Sequence, residues 1–198
     1  MFGRKKEVEK DEIPVQYCYI SDQVHVFTAV SYDRSTIEDG TVECKHLITN
    51  AESEIPVSFL DKFPISSIDE YYNPPSDLIT LSDVHAASIL NALRLRFAQD
   101  LVYTGIGPIL VALNPFKWIT NLYDDDIKFL YANKKRNMSD NPHVFGIAQE
   151  AFSGLHMGKD QSLIISGESG AGKTESTKQC LNFLAGITII IRCIRLTC

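Results

Sequence analysis

The sequence predicts an α/β fold with a small β-module ahead of it, and three observations carry that prediction. A short apolar run, Ser162 to Ser166, leads into a glycine-rich loop and then into helical spacing from Glu175 to Ala185, the strand, loop and helix order of α/β units. The stretches 86–97 and 144–155 repeat apolar residues at helical intervals. Between Val15 and Phe63, by contrast, short β-branched and aromatic runs alternate with turn pairs, which reads as a separate β-module.

Along the chain, Met1 to Glu12 mix charges without an apolar core, so residues 1–12 are expected to be a disordered lead-in and not a signal peptide. The β-module is expected over 13–70, with strands at Val15 to Ile20, Val24 to Val30 and Thr41 to Leu47, and with Asp39-Gly40 available to close a hairpin. The adjacent Pro74 and Pro75 favour an extended connection and mark a boundary. Ser82 or Asp83 is expected to cap a helix that buries Ala86, Ile89, Leu90, Leu93 and Phe97, leaving Arg94, Arg96 and Asp100 off that face.

Leu101 to Thr104 and Ile109 to Leu113 read as strands joined at Gly105-Ile106-Gly107-Pro108; the second lacks polar alternation, as buried strands do. Asp124-Asp125-Asp126 places negative charge at the start of a short exposed helix, where the macrodipole favours it. Pro142 is expected at the first position of the next helix, with Val144, Ile147, Ala148, Ala151, Phe152 and Leu155 on its buried side. In the helix after the loop, Cys180, Leu181 and Leu184 are expected to share a face.

Composition narrows the function classes. With 198 residues, 44% hydrophobic and 22% charged, the chain can build an ordinary domain core. A net charge of −6 and no basic run beyond Lys134-Lys135-Arg136, which reads as a solvated face, argue against nucleic-acid binding. The five cysteines are scattered, without a Cys-x-x-Cys pair, and the five histidines show no ligand spacing. Reduced thiols and no Cys/His metal site are therefore expected. Ile187 to Ile191 falls far short of the roughly 20 residues a spanning helix needs, so no membrane span is expected.

The chemistry lies in Gly167-Glu168-Ser169-Gly170-Ala171-Gly172-Lys173-Thr174, a phosphate-loop pattern set between strand and helix signals. Its glycines let successive backbone N–H groups turn inward as an anion nest, and the helix N-terminus adds partial positive charge. Lys173 would reach the β- and γ-phosphates, and the Thr174 hydroxyl would ligate Mg²⁺. A bare glycine-rich turn can match such a pattern, but here strand, loop, lysine, threonine and helix follow in order. ATP and Mg²⁺ are the expected ligands. Between Glu175 and Cys198 there is no Asp, and Glu175 is the only acid, so binding is better supported than hydrolysis.

At these residues the chain resembles a myosin motor head. The loop followed by Glu175 has that family's spelling, Leu110-Val111-Ala112-Leu113-Asn114-Pro115-Phe116-Lys117 resembles its strand leading to the adenine pocket, and Pro142-His143-Val144-Phe145 resembles the start of its helix before the loop. The resemblance implies an incomplete phosphate-loop NTPase sheet with flanking helices over 71–185, an SH3-like barrel in the β-module, and nucleotide contacts from Gly167 to Glu175. It also implies that Asn114, Pro115 and Tyr123 line the adenine side. Tyr123 stands one position later than the family spacing, and an ordinary half-buried packing tyrosine is an equal reading for it.

A complete head of that family continues with switch segments, an actin-binding cleft and a lever, which this sequence lacks after Ala185; residues 186–198 form an atypical apolar tail of high β-propensity and low polarity. The resemblance implies the ATP-binding portion of an actin-based motor, cytoplasmic and cytoskeletal, with hydrolysis not expected from this chain alone. Two alternatives are a non-catalytic fragment that binds proteins through its β-module and sheet edge, and a small phosphate-loop kinase, for which Arg192 and Arg195 make a poor lid.

Overall fold

The computed structural model describes residues 15–196, and the chain divides into two compact units, Met1–Ile68 and Asp69–Cys198. The lead-in expected over 1–12 lies outside the described residues. In the first unit β1 (Gln16–Asp22), β2 (Val26–Tyr32), β3 (Thr41–His46) and β4 (Glu52–Pro56) form an antiparallel sheet in sequence order. The two-residue period of strands sends Cys18, Val30, Tyr32, Val42, Cys44 and Ile55 to one face, where Leu60 joins them.

Asp39 (φ 47°) and Gly40 (φ 82°) do form a tight turn, closed by backbone bonds exchanged between Glu38 and Thr41. Positive φ at both positions is what a primed turn requires. The turn leads into β3 instead of joining β2 to β3. β4 was not expected, because it buries only Ile55 and carries Glu52 and Glu54 outward. Such charged, weakly apolar sequence is typical of an edge strand.

The second unit opens with a single turn, α1 (Ile68–Tyr72), and continues with α2 (Ala86–Ala98). The cap of α2 is His85, not Ser82 or Asp83: its Nδ1 accepts from Ser88 N while the Ser88 hydroxyl accepts from His85 N. The Ser82 hydroxyl is instead bonded to Glu70. The buried face also differs from the expected stripe. Ala87, Ala92 and Arg96 are buried, Ile89 and Leu93 pack partly, and Phe97 is exposed. Arg96 tolerates burial because its guanidinium donates to Thr104 Oγ1 (3.0 Å) and to the Tyr103 carbonyl (2.9 Å).

β5 (Tyr103–Ile106) and β6 (Ile109–Ala112) form an antiparallel hairpin that turns at Gly107 (φ 56°). β5 is buried, but β6 is an outer strand with Ile109 62% exposed, so its unbroken apolar run does not mark a fully buried strand. α3 (Asp125–Ala132) starts at its acidic cap as expected, yet it is not simply exposed: Tyr131 is buried and its hydroxyl donates to the Asn141 carbonyl.

α4 (Val144–His156) is capped by His143, with Pro142 just ahead of the cap and not inside the helix. Its buried side adds Phe145, Gly146 and Gly154 to the expected residues, while Leu155 is exposed and Ile147 only half-buried. Gly146 permits a close approach, since a Cβ there would lie 2.6 Å from Met138 Sδ.

Two expectations around the loop are corrected. Ser162 to Ser166 is not a strand: none of the described strands pairs with it, and Ile164 is 90% exposed. β-branched composition makes a segment fit for a sheet, but pairing makes the strand; β5 pairs with β6 and, at Gly105, with Asp77, while Ile109 and Leu110 line a cavity of about 320 Å³ together with Leu163 and Ile165. Among the described residues the second unit therefore holds one sheet, the antiparallel pair of β5 and β6. α5 (Lys173–Leu196) begins within the motif and runs on through the tail that was read as β-prone. A helix satisfies its backbone bonds internally, whereas a lone strand leaves them open.

Among the described side chains of α5 the buried ones are Gln179, Cys180, Phe183 and Ile187; Leu181, expected on the same face, is 61% exposed. With Val102, Tyr103, Tyr131, Val144, Phe145 and Ala148 the apolar ones make the unit's core, where the Phe145 and Phe183 rings stack at 5.1 Å. Cys18, Cys44 and Cys180 are free and buried. Among the described residues, no group of three or more His, Cys, Asp or Glu is placed to hold a metal ion, and no helix is long and apolar enough to cross a membrane.

Candidate functional site

The loop from Gly167 to Thr174 is shaped by three glycines. Gly170 (φ 81°) and Gly172 (φ 93°) lie in the left-handed region that disfavours side chains. A Cβ on Gly167 (φ 153°) would come within 3.1 Å of the Ala171 Cβ. Ala171 N donates to the Glu168 carbonyl and Ser176 N to that of Gly172, so the turn passes directly into α5. Glu168 and Ser169 are exposed, as is Thr174 in the first turn of the helix.

Lys173 curls back over this turn: its Nζ donates to the carbonyls of Gly167 and Glu168, each at 2.8 Å. The ammonium therefore sits over the loop beside the helix N-terminus, where backbone N–H groups and the macrodipole both favour an anion. In the first turn of α5, Glu175 accepts from Gln179 Nε2 (2.6 Å) and faces Lys178 at 3.6 Å.

The other predicted residues divide. Asn114, just past β6, is joined to the loop: its Nδ2 donates to the Gly170 carbonyl at 2.7 Å, while its Oδ1 accepts from Phe116 N at 2.9 Å. Both ends of the amide are engaged, fixing the Asn114-Pro115-Phe116 turn against the loop. Pro115 is half-buried, and Phe116 (φ 50°) is 84% exposed.

Tyr123 is held elsewhere, half-buried, with its hydroxyl 2.8 Å from that of Tyr103 and its ring edge-on to His143 and Phe145. Burial raises both phenols above their usual range, Tyr103 most; the Glu175 carboxylate adds to each shift, which places the hydroxyl pair within electrostatic reach of the α5 start.

Two residues that the sequence reading did not single out complete the arrangement. His143 is buried, accepts from Phe145 N at Nδ1 and meets the Leu122 carbonyl at 3.0 Å through Nε2. Those two bonds require the neutral ring with the proton on Nε2, and burial accordingly pushes its pKa down to about 4. Tyr103 likewise lay unremarked inside an apolar run. The signal available was the burial of polar side chains in such runs, which calls for partners.

The chain matches the myosin head (motor domain) family over residues 75–192, and it belongs to that family. It is 35% identical over 193 residues to Myosin-1 of Saccharomyces cerevisiae, an alignment covering 86% of this chain and 10% of that protein. It is 46% identical over 120 residues to Myosin-I heavy chain of Dictyostelium discoideum, covering 60% and 5%, and 34% identical over 177 residues to Myosin-2 of Arabidopsis thaliana, covering 87% and 14%. The chain thus spans about a tenth of the length of the curated relatives it matches.

Proposed function

We propose that this chain is the ATP-binding portion of an actin-based myosin motor. The observation that carries the reading is the loop itself: left-handed glycines, an ammonium folded over two loop carbonyls and a helix N-terminus converge at Gly167 to Thr174. The loop fits a polyphosphate. Lys173 would exchange its two carbonyl partners for phosphate oxygens, while the backbone N–H groups from Glu168 to Thr174 supply further donors.

Thr174 would hold Mg²⁺, which supplies charge neutralisation to the triphosphate. Asn114, bonded to Gly170, with Pro115 and Tyr123 forms the base side, and Glu175 closes the run of loop contacts. The unit from Asp69 onward is the corresponding part of a phosphate-loop NTPase fold, and the antiparallel sheet of the first unit takes the place of an SH3-like module. In the whole motor, ATP binding and hydrolysis are coupled to movement on actin filaments, a cytoskeletal and cytoplasmic role.

Calorimetric titration with Mg-ATP tests the reading. Lys173→Ala removes a charge-assisted contact and is expected to cost about 2 kcal/mol of binding, roughly thirtyfold in affinity. Equal affinity in variant and parent overturns it and leaves the protein-binding alternative in its place.

A further inference from the structure

The base side of the site lacks support of its own in the segment that carries Tyr123. From Ile119 to Asp124 the chain has no strand or long helix to hold it. Ile119, Leu122 and Tyr123 pack against the unit's core, and a pair of hydrogen bonds from that core fixes their position. The Tyr103 hydroxyl, on buried β5, meets the Tyr123 hydroxyl at 2.8 Å, and His143, the cap of α4, meets the adjacent Leu122 carbonyl at 3.0 Å. The rings close around these bonds: Tyr103 and His143 are edge-on at 4.8 Å, and Tyr131 stacks on His143 at 5.3 Å.

We infer that Tyr103 and His143 are positioning residues for nucleotide-base recognition, setting where Tyr123 stands relative to the start of α5 through a hydroxyl pair and a histidine-to-carbonyl bond. The inference rests on the reading of the loop as an ATP site and deepens it. Neither residue hydrogen-bonds the loop; both act through the Leu122-Tyr123 segment. Their effect is therefore specific to the base. The loop has braces of its own, Lys173 over its carbonyls and the Asn114 bond to Gly170; Tyr103 faces it only across the cavity that it lines with Ala171 and Lys173.

The partition sets the test: affinity for Mg-ATP against affinity for Mg-tripolyphosphate, which has the phosphates and no base. Tyr103→Phe keeps the ring and removes one hydroxyl. It is expected to lower ATP affinity roughly fivefold, the effect of losing one net hydrogen bond, and to leave tripolyphosphate affinity unchanged. Tyr123→Phe should reproduce the loss, and the double variant should add little, because both remove the same bond.

Unchanged ATP affinity in Tyr103→Phe overturns the inference while leaving the loop reading intact. So does an equal loss for both ligands, which would mark a merely structural role. A parent protein that binds neither ligand overturns the loop reading and this inference together.

Discussion

His143 sits where burial and hydrogen bonding oppose protonation, and its titration has a predictable sign. In the fold the ring is neutral with a pKa near 4; in the unfolded chain it returns to about 6.5. As pH falls below 6.5 the unfolded state binds the proton first, so the stability that neutral His143 lends is present above that value and lost on the way to pH 4. The loss amounts to about 2 kcal/mol by pH 5. Urea denaturation at pH 7 and pH 5 should show a smaller decline for His143→Gln than for the parent, and equal declines would contradict the burial argument. The sequence showed this residue as one of five scattered histidines and as part of Pro142-His143-Val144-Phe145, without a role of its own. Its burial depends on Tyr103 and Tyr131 arriving from other elements beside its neighbour Phe145, which no local pattern records. The loop residues were legible for the opposite reason: left-handed backbone demands glycine, and the demand is written directly into the sequence.

At the scale of elements, α5 distinguishes pattern from packing. Three apolar residues in its sequence suggested one face, yet Leu181 is exposed and Phe183 is 1% exposed against Phe145. Phe183→Ala should therefore cost about 3–5 kcal/mol of stability, as large-to-small changes in a filled core do. Leu181→Ala should stay within about 0.5 kcal/mol of the parent. Comparable denaturation midpoints for the two variants would return the buried face to the sequence-based choice. The same distinction explains the other differences. Helices α2, α3, α4 and the part of α5 up to Ala185 were legible because each satisfies its own backbone, and the caps of α2 and α4, His85 and His143, were missed because histidine is not the residue sought at an N-cap. The run from Ser162 to Ser166 was read from composition as a strand, but its fate depends on a neighbour.

At the scale of the whole molecule, that unpaired run has a consequence for association. Leu163, Ile164 and Ile165 are 38%, 90% and 37% exposed, side by side, in a segment with open backbone groups and high β-propensity. Such a segment can pair with a copy of itself more readily than an isolated exposed residue can attract one. The net charge of −6 opposes association only weakly at physiological salt, because exposed charges more than about 8 Å apart are screened. Ile164→Lys places a charge within the run, and should raise severalfold the protein concentration at which light scattering begins to climb. Val24→Lys adds the same charge at a residue 81% exposed in the first unit, well apart from the run in sequence, and should change that concentration little. An equal rise in both variants would show that net charge governs association, and no rise in either would show that the copies meet through some other surface. A rise confined to Ile164→Lys would identify the unpaired strand sequence as the sticky element.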